Sequence, residues 1–195
     1  MKNILYKDYM KLTRKERNEL GNCTIEMTVP ELIKDMGLFI IKSLIIAGII
    51  VSFVGFAYVP SSSMDTTLKK GDLCFIVKVP GELKRGGVYV FKSNEDDETM
   101  MVKRLIAKGG DHVLIEKGKV YVNDKLLEES YLYEDMIPLA KKEYEVPEGY
   151  LFFLGDNRNA SYDSRYWSDP YIAEEDVKAK MILRVWPLNR IGFVK

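Results

Sequence analysis

The sequence predicts a mainly β domain, sandwich- or barrel-like, that follows a single apolar helix. Residues 37–59 read GLFIIKSLIIAGIIVSFVGFAYV, with Lys42 as the one charge. Beyond them, short runs rich in β-branched and aromatic residues recur between turns rich in Gly, Asp and Asn, the mark of strands joined by tight connections. Helical signal after residue 60 is limited to a short stretch at 173–180. The chain therefore divides into a polar tail over residues 1–36, an apolar helix over 37–59 and a β domain over 60–195.

In the tail, Ile4, Leu5, Tyr9 and Leu12 alternate with Lys and Arg at helical spacing, which predicts a short amphipathic helix. Pro30 suits the first turn of a second helix, after Thr28 or Val29. The apolar helix would rise about 34 Å, enough to cross a hydrocarbon core of roughly 30 Å. Lys42 is placed to snorkel toward one interface and Tyr58 to sit at the other, and Pro60 ends the helix. A buried core helix is the alternative; the uninterrupted uncharged run over residues 44–59 argues against it. A cleaved export signal fits less well, because the polar stretch ahead of it is too long. Lys and Arg flank both ends of the run, so charge leaves its orientation open.

In the β domain, strands are expected at residues 73–79, 88–91, 100–107, 113–116, 119–122, 151–154 and 181–185. Residues 93–99, SNEDDET, form a polar loop, and residues 123–149 read as an irregular, charged insertion.

Composition removes several function classes. Lys+Arg and Asp+Glu are both 29, so no basic face points to nucleic acid. The cysteines, Cys23 and Cys74, lie on opposite sides of the apolar run and read as free thiols, Cys74 as a small core residue. No Cys/His cluster has metal spacing, no Gly-rich loop is built to cradle phosphate, and no cofactor is implied. The single histidine, His112, reads as an edge residue at the start of an expected strand. A hydrolase built on this chain needs a base other than histidine.

Three segments carry chemistry. The first is Pro60-Ser61-Ser62-Ser63-Met64, directly after the apolar run; on composition alone it is a cap or linker. The second is Met101-Val102-Lys103-Arg104-Leu105-Ile106, where Lys103 alternates with apolar residues. A strand lysine ordinarily faces water; one that faces the core is driven toward its neutral form, which can act as a base. The third is GDNRNASYDSRYW over residues 155–167, either a polar surface loop or a buried hydrogen-bonded network.

Together the segments resemble bacterial type I signal peptidases. PSSSM is similar to the family's Pro-Ser-Gly-Ser-Met, VKRLIAKGGD to its Lys-Arg segment, GDNRNASYDSR to its Gly-Asp-Asn-Arg box, and RVWPLNRIG to its last strand. The resemblance covers most of residues 37–195. It implies a signal-peptidase-like catalytic β domain behind one transmembrane helix, with the tail cytoplasmic and residues 60–195 outside the cytoplasm. It implies a membrane-bound serine endopeptidase that removes signal peptides from exported preproteins, with membrane lipid as its other partner.

Carried over by position, Ser63 matches the nucleophile and Lys103 the general base. Ser161 matches the serine that orients the lysine, and Ser61 the hydroxyl that joins the Ser63 N–H in an oxyanion hole. Asp163 and Arg165 match a supporting ion pair, with Arg104 close by. Val59, Met64, Leu68, Met101 and Val102 fall where the family builds shallow substrate pockets for small residues at the first and third positions before the cut. Ser62 stands where the family has glycine, Thr66 and Thr67 lack its proline, and Ala160 and Ser168 replace a frequent asparagine and a glycine. A membrane-tethered β domain that only binds export substrates is the alternative; it would need none of Ser63, Lys103 or Ser161. A self-cleaving Ser-Lys repressor would need a DNA-binding N-terminus in place of the apolar run.

Overall fold

The structure, a computed structural model, describes residues 3–20, 24–26, 29–78, 81–95 and 99–195. It divides into two compact units, residues 1–51 and 52–195.

In the first unit, β1 (Asn3–Leu5) pairs in parallel with β2 (Thr24–Glu26). Between them lie α1 (Tyr6–Tyr9) and α2 (Arg14–Glu19). The amphipathic segment expected in the tail is thus a strand and one helical turn. Thr13 caps α2: its hydroxyl accepts from the Glu16 N–H, and the Glu16 carboxylate accepts from the Thr13 N–H at 2.7 Å, which satisfies two donors at the helix start. Cys23 and Thr28 lie outside the described residues.

The helix α3 runs Val29–Phe53, with Pro30 in its first turn. Its Leu32–Phe53 segment has mean hydropathy 2.3, and none of its described residues is buried. The helix differs from the expected residues 37–59 at both ends. It starts about two turns earlier, because helix propensity does not require apolar residues. It stops before Val54 because residues 54–58 form a strand, β3 (Val54–Tyr58). An apolar run reads the same in either state, and pairing with a neighbouring strand decides between them.

The second unit is mainly β. Its strands are β3, β4 (Leu73–Val77), β5 (Val88–Lys92), β6 (Met100–Lys108), β7 (His112–Glu116), β8 (Lys119–Val122), β9 (Lys125–Leu126), β10 (Lys142–Glu145), β11 (Tyr150–Leu154), β12 (Ile172–Ala173), β13 (Val177–Trp186) and β14 (Gly192–Phe193). The large sheet has the order β12-β11-β6-β5-β13-β4-β3, with β14 also on β13. A smaller sheet has the order β10-β7-β8-β9. Every pairing in the two sheets is antiparallel.

All seven expected strands form, within a few residues of their expected ends. Residues 173–180 are not a helix: β12 and a three-residue 3-10 turn at Glu174–Asp176 lead straight into β13. The acidic run that suggested a helix start only makes that turn. The stretch at 123–149 is not wholly irregular, since it supplies β9 and β10. In β10 the residues Lys142, Glu143 and Glu145 hide the strand from a reading by hydrophobicity, yet charged side chains are what an edge strand carries.

Three apolar clusters fill the unit. One joins Ile106, Val113, Ile115 and Phe152 between the two sheets. A second joins Val59, Met64, Leu68, Cys74 and Met181, and Cys74 is the buried core thiol expected of it. The third centres on Phe153, stacked on Phe91 at 4.3 Å between centroids and edge-on to Tyr89. Truncating a fully buried phenylalanine leaves a cavity that stacked neighbours cannot fill. Phe153→Ala should lower stability by about 3–5 kcal/mol, read by unfolding in detergent with the Ser63 site as an activity control.

Candidate active site

Lys103 is carried by β6, whose successive side chains take opposite faces of the sheet. It is only 5% exposed. Its Nζ lies 2.7 Å from Ser63 Oγ, which is 8% exposed. Burial strips water from the amine and brings its pKa down from 10.5 to about 8, against the opposing pull of the Asp163 carboxylate. When the amine is protonated it donates to the serine oxygen. When it is neutral the same contact runs the other way, with the hydroxyl donating to the nitrogen lone pair.

Ser63 sits in a turn after β3 that is fixed on several sides. Asn157 donates its backbone N–H to the Ser63 carbonyl at 3.0 Å and its side-chain amide to the Ser62 carbonyl at 3.2 Å. The Asp65 N–H donates to the same Ser62 carbonyl, and Leu68 N–H donates to Met64. Ser62 itself is exposed, which explains how a side chain is tolerated where the family has glycine. Ser61 Oγ lies 3.3 Å from Ser63 Oγ, within reach of the reacting atoms.

Ser161 is buried, and its Oγ makes no hydrogen bond. The expected bond to Lys103 is not formed, and the amine's hydrogen bond is to Ser63. Ser161 Oγ packs instead against Gly155, where a Cβ would lie 2.1 Å from it and 2.5 Å from the Ser63 carbonyl oxygen. Gly155 is therefore the residue that lets the 155–167 segment approach the nucleophile's backbone.

Three ion pairs hold this segment. Arg165 grips Asp163 with two bonds, at 2.7 and 2.9 Å, and Asp163 also accepts from the Gly155 N–H at 2.9 Å. Arg104 grips Asp156 in the same bidentate way, at 2.7 and 2.6 Å, and lies 3.9 Å above the Tyr131 ring. Arg158 pairs with Glu129 and donates to the Gly155 carbonyl at 3.0 Å. Asp163–Arg165 is the pair expected from sequence. Asp156, Arg158, Glu129 and Tyr131 are additions. Asp156 and Arg158 are signalled by the dense charge of the 155–165 segment, whereas nothing in the insertion singles out Glu129 or Tyr131.

Beside Ser63 and Lys103 opens a cavity of 360 Å³, lined among others by Val59, Met64, Met101 and Val102. Leu68 does not line it. It lies in the cluster beneath Met64, because the 64–68 turn points its side chain into the core. Along one wall β6 has an open edge. β11 pairs with β6 only from Arg104 to Lys108, whereas β5 pairs from Met100 to Arg104. The Ser93 N–H bonds to Thr99, and Leu105 N–H to Gly87. By the alternation of antiparallel ladders, Met101 and Lys103 then bond to β5, and the N–H and C=O of Val102 face the cavity.

A buried lysine amine against a serine hydroxyl, beside an apolar cleft with a free strand edge, is the equipment of a peptidase. A family profile described as signal peptidase, peptidase S26, matches residues 32–186. The chain belongs to this family. It is similar to signal peptidase I of Leptolyngbya laminosa, 33% identical over 82% of this chain and 81% of that one. It is similar to signal peptidase IB of Staphylococcus aureus strain MRSA252, 32% identical over 78% and 91%. A crystal structure of a signal peptidase I from Enterococcus faecalis aligns at 27% identity with TM-score 0.46, over 52% of this chain and 97% of that one. As a member of this family the protein is a serine endopeptidase that removes signal peptides.

Two outcomes test this geometry. Gly155→Ala should cut activity at least about 100-fold by displacing Ser161 or the Ser63 backbone, with a stability loss of only about 1–3 kcal/mol; peptidase assay and thermal unfolding separate the two. Lys103→Met should stabilise the protein at pH 7 by roughly 2–3 kcal/mol. Below about pH 8 the folded chain carries a buried charge that the unfolded chain solvates, so the penalty is full there. It fades between 8 and 10.5, as the folded amine loses its proton first. The gain in Tm should shrink over that window.

Proposed function

We propose that Ser63 is the nucleophile and Lys103 the general base of this signal peptidase. The observation that carries the reading is the 2.7 Å contact between Lys103 Nζ and Ser63 Oγ, with both groups buried. Ser63 Oγ attacks the scissile carbonyl while neutral Lys103 takes its proton. The oxyanion is held by the Ser63 N–H and the Ser61 hydroxyl, each such donor lowering the barrier by about 3–4 kcal/mol. Lys103 returns the proton to the leaving amine, then activates the water that releases the acyl-enzyme.

Ser161 has a role in the second half of this cycle. Once Ser63 is acylated, its oxygen no longer donates to Lys103. A buried hydroxyl without a partner costs about 1–3 kcal/mol, and Ser161 Oγ is such a group beside the site. Bonding to the lysine then satisfies both.

The cleft supports cleavage after small residues. The substrate lies extended along the β6 edge, bonded to the Val102 backbone, in strand addition. Alternate side chains point inward to Val59, Met64, Met101 and Val102, with Leu68 as the floor beneath Met64. The helix α3 is the membrane anchor, since its Leu32–Phe53 segment is long and apolar enough to cross a hydrocarbon core. The tail is cytoplasmic and the β domain lies outside the cytoplasm, where exported preproteins emerge. Intact Ser63, Lys103 and Ser161 favour this over a domain that merely binds export substrates.

Ser63→Ala and Lys103→Ala should each abolish preprotein processing in detergent, whereas Ser62→Ala should be tolerated; wild-type cleavage by either of the first two sinks the assignment. Because only neutral Lys103 accepts the proton, kcat/KM should fall about tenfold per pH unit below about 8 and level off above it. Protease added to sealed cells should reach the β domain from outside; digestion only from the cytoplasmic side overturns the topology.

A further inference from the structure

The mouth of the cleft carries a group that the mechanism does not use. Ser161 leaves the 3-10 turn Arg158–Ala160 in extended backbone, at φ −117° and ψ 125°. Alternation then sends Ser161 inward and its neighbours outward: Ser161 is buried, while Tyr162 is 52% exposed and borders the same cavity as Ser63 and Lys103. Its ring is held on two sides. It stacks on Tyr166, at 6.4 Å and 16° between planes. Its hydroxyl donates to Glu95 Oε2 at 2.8 Å.

Glu95 is held in turn. Its Oε1 accepts from both the N–H and the hydroxyl of Ser168, each at 2.7 Å. These bonds favour the ionised form and lower its pKa. A carboxylate offers about four acceptor positions, and three are engaged here. The remaining one is on Oε2, beside the Tyr162 hydroxyl. An exposed glutamate held by three bonds has given up rotamer freedom that a solvated one keeps, so the arrangement is a fixed anionic point at the rim of an aromatic face.

The geometry points to Tyr162 and Glu95 as a specificity-determining pair that selects a basic side chain at the substrate position between the two small residues. This rests on the strand-addition reading above. Two alternate side chains of an extended substrate enter the apolar wells, so the one between them points out toward the mouth. A Lys or Arg there lays its methylene stem along the Tyr162 ring and brings its cation to the ring face and to Glu95 Oε2. A Glu or Asp there meets Glu95 as a like charge. Ser168, which fixes Glu95, stands where the family has glycine.

The test uses the full chain in detergent and three quenched fluorescent peptides that differ only in the central residue of Ala-X-Ala, with X as Lys, Gln or Glu. In wild type, kcat/KM for Lys should exceed that for Glu by about fivefold at low salt, with Gln between them. In 1 M salt, where the screening length falls to about 3 Å, the ratio should approach one. Glu95→Gln should flatten it at low salt, and Tyr162→Phe, which keeps the ring but removes the bond that ties the carboxylate to it, should reduce it. A wild-type ratio near one overturns the inference, as does a full ratio kept in Glu95→Gln. If Glu95→Gln does not fold, the wild-type salt series and Tyr162→Phe decide by the same criteria. A wild type that cuts none of the three peptides, although it cuts a preprotein, overturns the inference through its substrate geometry. One that cuts neither overturns the dyad itself.

Discussion

The structure turns on keeping one amine dry. A lysine in water holds its proton too tightly to accept one from serine at ordinary pH. Burial of Lys103 loosens that proton by disfavouring the charged form, and Asp163 and Asp156 limit how far the shift goes. The same burial makes the lysine a liability to folding. The site therefore needs surroundings rigid enough to hold an unfavourable group in place, and the architecture supplies them. Lys103 is anchored in β6, which is paired with β5 beside the amine and with β11 immediately beyond it.

The ion pairs around the dyad belong to that rigidity. Removing one partner of a buried pair is costly because the other is left charged and unpaired, so each pair locks its two segments together. Arg104 with Asp156 ties β6 to the segment that follows β11, and Arg158 with Glu129 ties that segment to the insertion. Asp163 with Arg165 closes the segment on itself and holds the Gly155 N–H. The insertion is thus a brace, although its composition reads as a loop.

What was legible in the sequence follows from where the physics is local. Short β-rich runs between turn residues showed β4 to β8, β11 and the second half of β13, because each strand buries at least one face. The choice of Ser63 among three serines, and of Lys103 among many lysines, came from resemblance; no local property separates Ser62 from Ser63 before the turn is folded. The end of α3 was illegible because Val54 to Tyr58 are as apolar as the helix, and only pairing with β4 distinguishes them. β10 was hidden by its charges. Leu68 was placed in the cleft by resemblance, and no pattern along the chain reports the direction of a side chain within a turn. Glu129 and Tyr131 find their partners in Arg158 and Arg104, far along the chain, and no short-range pattern reports such a pairing.

The open edge of β6 sets a condition on the shape of what is cut. It is a few residues long, bounded by β11 at Arg104 and by the β5 hairpin at Met100. Five residues of helix span about 7.5 Å, and the same five as a strand about 17 Å. A cleavage segment that arrives helical must therefore unwind and lengthen roughly twofold before its carbonyl reaches Ser63. One already paired on both sides within a sheet has no free backbone to offer. With the substrate in the proposed strand-addition pose, the edge would act as a conformational filter: it would admit segments that are unstructured when they reach the enzyme and spare a folded mature domain even where that domain contains a suitable pair of small residues.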